Sequence, residues 1–240
     1  MRAIITFHGI DESGSVISYP PRLLAELLDS LRDASLPVLD LDSLLAPGKP
    51  NGVALTFDDG MRSVFTHALP VLRDHAAPAH LFLTTGMVGG KTHWDSLPGI
   101  SPEFDMLAWD EVEKLHDNGI RIEAHTQNHP DMRELDDEAI ANECGEADRL
   151  IEQKLGRRPL YFAYPFGYRN TRATNFARQH YRASVTTSLG VLSGGEDLAA
   201  LPRLDSYYLR APWTFRRLDG VLPQTYLSLR GFLRRLRGRD

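Results

Sequence analysis

The chain has 240 residues, 42% of them hydrophobic, which is enough to bury one large core, and a single α/β barrel commonly reaches this length. One cysteine, Cys144, excludes an internal disulfide and a multi-cysteine zinc site. The net charge of −5 is unevenly spread, because eight Arg and two Asp give residues 210–240 a charge of +6 and leave −11 for residues 1–209. An acidic body with a basic tail argues against nucleic acid as the main partner.

Nothing in the sequence indicates a membrane span or a secretory leader. Residues 1–7 hold only a short apolar run, and no segment approaches the roughly 18 apolar residues of a transmembrane helix. We therefore expect a cytoplasmic protein.

Strand-like and helix-like segments alternate along the whole chain. The predicted strands are residues 3–7, 37–41, 53–57, 80–83, 121–124, 160–163 and 183–186, with 204–209 as a further candidate. The predicted helices are residues 22–34, 61–75, 110–118, 136–155 and 171–179. Strands separated by helices imply parallel pairing with right-handed crossovers, so about seven such units predict an α/β fold with a closed or nearly closed barrel.

The last 30 residues differ from the rest in composition. We expect a barrel over residues 1–210 and a basic helical tail over residues 211–240, packed on the barrel or extending from it. Leu and Phe mix with Arg at roughly helical spacing in residues 226–237, which leaves two alternatives. Either Leu229, Leu233 and Leu236 pack on the barrel, or the tail makes a weak peripheral contact with an anionic membrane. The short apolar face, interrupted by Gly231, favours packing on the barrel.

Two adjacent carboxylates follow the third predicted strand, in residues 56–60 (Thr-Phe-Asp-Asp-Gly). Such a pair repels itself without a cation nearby, which favours one carboxylate as metal ligand and the other as base. Asp-Asp-Gly is also typical of a plain turn, and Asp58 could instead cap a helix starting near Met61.

Residues 125–129 (His-Thr-Gln-Asn-His) directly follow another strand-like run. One carboxylate and two imidazoles form the usual ligand set of catalytic zinc or a related divalent ion, so we predict Asp59, His125 and His129 as ligands of one ion, Zn²⁺ being the expected one, and Asp58 as general base. Pro130 disfavours helical geometry at His129, which predicts a turn. The alternative for each His is a surface or capping role.

These motifs share one position relative to the strands. Asp58, Asp59, His125, residues 164–167 and His8 all come just after a predicted strand. In a barrel of parallel strands the carboxyl ends form one rim, where active sites lie. The sequence therefore predicts that these residues meet.

Residues 56–60, 125–129 and 162–167 (Phe-Ala-Tyr-Pro-Phe-Gly) resemble the first three motifs of the polysaccharide deacetylases, carbohydrate esterase family 4. Residues 107–111 and 201–204 also resemble bacterial members, so the resemblance runs from about residue 3 to residue 209. It implies a distorted (β/α) barrel and metal-dependent removal of N-acetyl groups from amino sugars. It implies the same roles for Asp58 and the three ligands, and an oxyanion contact from the amide of Phe166, in a loop with Tyr164 and Pro165.

Two positions depart from the family pattern. Ala163 stands where an Arg usually pairs with the base, and Arg203 is the candidate replacement because a buried Asp needs a cationic partner; the alternative is a surface Arg. No His follows Arg203 to serve as the family's late general acid. Residues 5–10, however, resemble the N-terminal segment of the exopolysaccharide-deacetylase branch, such as the poly-N-acetylglucosamine deacetylases, which implies that His8 is the acid.

The expected substrate is an N-acetylated glycan, and Trp94, in the long segment 86–107, would stack on a sugar ring or pack beneath that loop. Two other functions stay open. One is deacylation of a lipid-linked sugar or small amide at the inner membrane face. The other is a catalytically silent glycan-binding barrel, suggested by Ala163 and the missing late His.

Overall fold

Seven parallel strands form a closed barrel in the order β1 to β7, with β7 returning to pair with β1. The computed structural model describes residues 1–48, 50–92 and 103–236. The closed α/β barrel predicted from the alternating pattern is confirmed. The strands are β1 Arg2–Phe7, β2 Gly52–Phe57, β3 His80–Leu83, β4 Arg121–Ala124, β5 Tyr161–Ala163, β6 Ala183–Leu189 and β7 Leu201–Asp205.

Helices connect the strands and cover the outside of the barrel. They are α1 Pro21–Asp33, α2 Leu41–Leu44, α3 Leu69–Asp74, α4 Trp109–Asp117, α5 Asp137–Leu155, α6 Thr171–His180, α7 Pro212–Phe215 and α8 Val221–Leu236. A π-helical turn precedes α3 at Val64–Ala68, and 3₁₀ turns lie at Thr85–Met87, Pro165–Gly167 and Ser206–Leu209.

Successive strand residues alternate between two layers of the core. Ile4, Ala54 and Phe82, from three neighbouring strands, belong to one buried cluster. Ile5 and Leu55 belong to another, which also contains the buried leucines of α1. Alternate side chains of a strand point to opposite faces, and in a barrel both faces are covered. All six residues of β2 are therefore buried.

Two predicted strands are wrong in whole or in part. Residues 37–41 form no strand; Val38 makes one isolated bridge to Val53, and the Asp40 side chain accepts a 2.7 Å hydrogen bond from the amide of Ser43 to start α2. The predicted strand 204–209 begins earlier, at Leu201, and ends at Asp205, whose carboxylate accepts from the amide of Tyr207 and starts a 3₁₀ turn.

The predicted helix 61–75 is divided into a π-helical turn and α3. Pro70, in the first turn of α3, has no amide proton to continue the earlier helical ladder. The amide of Leu69 bonds to the carbonyl of Val64 instead, five residues back.

Cys144, on α5, is fully buried, which agrees with an inert structural thiol.

The tail forms a helix, but its buried face is not the expected one. Pro223, Leu227 and Gly231 of α8 are buried, whereas Leu229 and Leu236 are 54% and 68% exposed. The division into a barrel and a tail at residue 210 stays a prediction. Among the helices of residues 1–48, 50–92 and 103–236, none combines the length and hydropathy of a membrane span.

Candidate active site

Asp58 and Asp59 leave the end of β2 with their side chains buried, at 2% and 3% exposure. The amide of Asp58 continues the pairing with β1 by donating to the carbonyl of Phe7 at 2.9 Å. Asp59 then adopts a left-handed backbone with φ of 74°. This reversal gives the two neighbouring carboxylates different surroundings and therefore permits different roles.

His125 and His129 lie on the turn that follows β4, as the sequence predicted, and not on a helix. Thr126 and His129 have positive φ, and the Thr126 hydroxyl accepts a 3.0 Å hydrogen bond from the amide of His129. Among the described non-glycine residues, six have positive φ, and four of them lie here: Asp59, Thr126, His129 and Phe166. Unfavourable backbone conformations concentrated in one place are typical of functional sites.

The three predicted ligands meet. Nε2 of His125 lies 3.3 Å and Nε2 of His129 lies 3.4 Å from Oδ1 of Asp59, and all three side chains are buried. Their candidate ligand atoms lie within 4.8 Å of one another. Burial raises the pKa of Asp59, but the adjacent imidazoles of His125 and His129 outweigh this effect and hold that pKa well below its usual range. Burial lowers the pKa of His129.

The donors fit a divalent metal ion. Nδ1 of His125 lies 2.7 Å from the carbonyl of Ala163, an acceptor, so the ring proton sits on Nδ1 and the Nε2 lone pair faces Asp59. One carboxylate and two imidazoles are the ligand set of a catalytic zinc site with open positions. Ala163 thus has a structural role although it lacks the usual Arg side chain, because its backbone carbonyl orients the ring of His125.

Arg203 lies on β7 and binds Asp58, which follows β2, across the junction between β7 and β1 where the barrel closes. Its Nη1 donates to Oδ1 at 2.7 Å and its Nη2 donates to Oδ2 at 2.6 Å. Nε donates to the carbonyl of Thr186, and Arg203 is 1% exposed, so it is not a surface residue. Burial raises the pKa of Asp58, but the Arg203 guanidinium outweighs it and lowers that pKa.

His8 follows β1 and is only partly buried. Its charge acts on Asp58 and Asp59 and lowers the pKa of each carboxyl, as their main partners also do. The first strand, the second strand and the fourth strand therefore contribute to one cluster on the carboxyl rim.

The loop after β5 packs against the histidines. The rings of Phe166 and His129 lie 4.4 Å apart, and Phe166 has φ of 58°. By sequence Tyr164 belongs to the predicted substrate and oxyanion loop, but its side chain points into the core. There its hydroxyl donates to the carbonyl of Ala199 at 2.8 Å, and burial raises its pKa to about 12. Pro165 is also buried, so these two residues support the loop from beneath. Trp94 lies outside the described residues.

Sequence reasoning missed the residues that hold these groups in place. Glu143, on α5, accepts hydrogen bonds from the amides of Gln127 and Asn128 at 3.1 and 2.8 Å and so clamps the histidine loop. The Thr56 hydroxyl accepts from Arg203 and donates to the carbonyl of Ile5. Thr56 stands inside a motif and could have been identified from the sequence. Nothing distinguishes Glu143 from the other charged residues of α5.

A cleft of about 560 Å³ opens next to the loop that follows β1. Its walls come from the loop after β1, the turn before α3 and the segment next to residues 93–102. Ser63, in one wall, accepts a hydrogen bond from the amide of Ile10, two residues after His8. This bond connects one wall of the cleft to the segment that carries His8, and Asp11, Arg62, Lys91 and Asp105 give the cleft a polar lining.

Two known proteins are similar to this chain in sequence. The Bacillus subtilis protein YxkH is 25% identical over 208 residues, covering 84% of this chain and 70% of that protein. The poly-β-1,6-N-acetyl-D-glucosamine N-deacetylase of Staphylococcus aureus is 21% identical over 65% of this chain, which spans only 52% of that enzyme.

The fold is shared with a solved structure of low sequence identity. The structure of IcaB from Ammonifex degensii superimposes with a TM-score of 0.73 at 22% identity, covering 90% of this chain and 94% of that one. The sequence model of the polysaccharide deacetylase family matches residues 46–183, which include the paired aspartates, both histidines and the loop after β5. The chain belongs to the polysaccharide deacetylase family.

Proposed function

We propose that this chain is a metal-dependent N-deacetylase that releases acetate from an amino-sugar polysaccharide or oligosaccharide. The observation that carries the proposal is the cluster at the rim, in which Asp59, His125 and His129 converge beside a second carboxylate held by Arg203. Asp59, His125 and His129 would hold the ion, for which zinc is the expected identity. When bound, it supplies Lewis-acid polarisation of the acetamide carbonyl and of water.

Asp58 is the general base in this proposal. Hydrolysis of the amide requires that a water lose a proton as its oxygen bonds to the acetyl carbon, and an ionised carboxylate accepts that proton. The guanidinium of Arg203 keeps Asp58 ionised inside a buried site. It also fixes the orientation of the carboxylate, because both oxygens are bound.

His8 is the proposed general acid. As the C–N bond breaks, the departing nitrogen must gain a proton to leave as an amine, and a protonated imidazole on the rim donates it. His8 is partly exposed, unlike His125 and His129, which are buried. The products are acetate and the free amino sugar. The amide of Phe166, on the loop touching His129, is the proposed protein donor to the oxyanion.

The substrate class rests on the relatives and on the cleft. The S. aureus relative is named for poly-β-1,6-N-acetyl-D-glucosamine, and the polar cleft of about 560 Å³, whose wall is bonded to the segment that carries His8, has room for sugar rings. A lipid-linked N-acetyl sugar is the second candidate, and it shares the same reacting group. A cytoplasmic location is a separate proposal, which cell fractionation tests.

Metal content and acetate release test the proposal together. Purified protein should contain about one equivalent of transition metal, and His125→Ala should lose it while His180→Ala, on the exposed end of α6, keeps it. Oligomers of β-1,6- and β-1,4-linked N-acetylglucosamine should release acetate. Asp58→Asn should retain metal and lose turnover. Absence of metal after reconstitution with zinc, cobalt or nickel would contradict the proposal and favour a silent glycan-binding barrel.

A further inference from the structure

The two sides of α8 differ in what they contact. Pro223, Leu227 and Gly231 face the barrel and are buried. A Cβ atom built on Gly231 would lie 2.6 Å from the carbonyl oxygen of Leu189, so the helix backbone rests directly on the end of β6. This close approach fixes the rotation of the helix about its axis and decides which residues point away from the barrel.

The opposite side carries an exposed apolar strip, here called the outer arc. Its members follow one another at spacings of three and four residues, so at about 100° per residue they cover an arc of about 80° and a length of about 21 Å. The outer arc consists of Leu222, Thr225, Leu229, Phe232 and Leu236. The four apolar members are 77%, 54%, 51% and 68% exposed in chain order, and Val221 beside them is 82% exposed.

Arginines flank the outer arc on both sides. Helical geometry places Arg230 on one side of it and Arg235 on the other, and α8 contains no acidic residue. Residues 210–240 carry +6 while the rest of the chain carries −11, so positive charge is concentrated around this helix. An anionic surface is attracted to this part of the molecule in preference to the rest.

Aromatic side chains with polar edges extend the same surface. Trp213 is 53% exposed and its ring lies 5.1 Å from that of Tyr226, which sits next to the outer arc on α8. The Arg230 guanidinium lies 5.0 Å from the ring of Tyr208, and Tyr207 is 44% exposed. Trp and Tyr are enriched where a protein meets the interface between hydrocarbon and water.

We propose that the outer arc of α8 docks on an anionic lipid surface, with the helix lying in the plane of the headgroups. An apolar strip flanked by Arg and accompanied by Trp and Tyr is the arrangement of an interfacial helix. Pairing with a second copy of the chain is disfavoured, because two facing arcs would bring Arg230 and Arg235 of one helix against those of the other. An anionic bilayer neutralises the same charges.

Docking in this way places the active-site rim near the lipid. Arg234 of α8 lies 3.9 Å from Asp205, the last residue of β7, so the end of α8 lies at the carboxyl rim. Asp58 and His125 leave their strands at the same rim. The outer arc lies outside the cluster of Asp58, Asp59, His125 and His129, so its docking on lipid does not depend on the proposed reaction.

Co-sedimentation with vesicles tests the proposal on the full chain. One set of vesicles contains phosphatidylcholine alone, and the other contains phosphatidylcholine with phosphatidylglycerol. We expect binding to the anionic vesicles that weakens with added salt and falls at least about tenfold in the double variant Leu229→Asp/Phe232→Asp. Leu198→Asp is the matched control, because Leu198 is 53% exposed and lies outside α8. It should bind as the unmodified chain does.

The exposed positions chosen should leave the fold intact, which circular dichroism and the thermal midpoint of each variant check. Equal binding by the double variant and the unmodified chain would overturn the proposal. So would an unmodified chain that binds neither kind of vesicle. Light scattering provides the remaining outcome. A dimer that the double variant abolishes would identify the outer arc as an interface between copies and would also overturn the lipid proposal.

Discussion

Arg203 and Asp58, which lie 145 residues apart, form a two-pronged ion pair inside the barrel, with Nη1–Oδ1 and Nη2–Oδ2 distances of 2.7 and 2.6 Å. Both side chains are almost fully buried. Removing one partner leaves an uncompensated buried charge, whereas removing both does not. The pair connects β7 to β2 and so serves the stability of the barrel as well as the proposed base.

Arg203→Met is expected to lower the free energy of unfolding by about 3–5 kcal/mol and kcat by at least about 100-fold, because Asp58 loses its counter-charge. Arg203→Lys is the control that keeps the charge and loses the fork, and its effects should be intermediate. Denaturant unfolding should show that Asp58→Asn/Arg203→Met is more stable than the sum of the single changes implies. Strict additivity would mean that the pair is not coupled.

His8→Gln should lower kcat about 10²- to 10⁴-fold with little change in KM, because glutamine cannot supply the proton that the leaving amine needs. Metal content should not change, since His8 is not among the converging ligands. His180→Gln, on α6, is the matched histidine control and should keep full activity. Wild-type kcat in His8→Gln would assign the proton transfer to another group.

Two glycines with opposite surroundings test the loop after β5. Gly167 has φ of 74°, and a Cβ there would lie 2.1 Å from Oγ1 of Thr187, so Gly167→Ala must displace the loop that carries Phe166. We expect a loss of about 1–3 kcal/mol of unfolding free energy together with reduced kcat. Gly145, within α5, has no neighbour within 4 Å of its added Cβ. Gly145→Ala should stabilise the protein by about 0.5–1 kcal/mol. Thermal denaturation distinguishes the two, and equal effects would contradict the geometry.

The buried carboxyl of Asp148 should make the free energy of unfolding depend on pH. Burial raises its pKa from 3.8 to about 6, although Tyr181 and Arg158 act in the opposite direction. A raised carboxyl pKa means that the folded state binds the proton more tightly, so the contribution to stability is present below about pH 4 and is lost as the pH rises through about 6. Asp148→Asn, which keeps an acceptor for the Tyr181 hydroxyl, should gain stability relative to the unmodified chain over this window. The gain should reach about 2–3 kcal/mol.

Urea unfolding of both proteins at pH 4, 5, 6 and 7 measures that difference. The other groups that face Asp148 are Cys144 and Glu123, and both remain in the variant. A difference that does not change between pH 4 and pH 7 would show that Asp148 does not titrate in the folded protein as stated.

The alternation of strands and helices could be predicted from the sequence because each depends on local periodicity. Five of the seven strands were placed within one residue at both ends, β1 to β5, since apolar runs in a barrel are buried on both faces and stand out. The failures arose where one side chain overrides the pattern. Asp40 starts a helix turn in a predicted strand, and Pro70 divides a predicted helix.

The sequence alone also determined the family resemblance and the convergence of Asp58, Asp59 and the two histidines, because each motif follows a strand and parallel strands share one rim. Only the tertiary structure decided which distant groups complete the site and which side of a helix is exposed. The pairing of Arg203 with Asp58 depends on closure of the barrel between β7 and β1. The outward direction of Leu229 depends on contact between Gly231 and the end of β6. Contacts between residues far apart in the chain leave no pattern in the local sequence, because they form only when the chain folds.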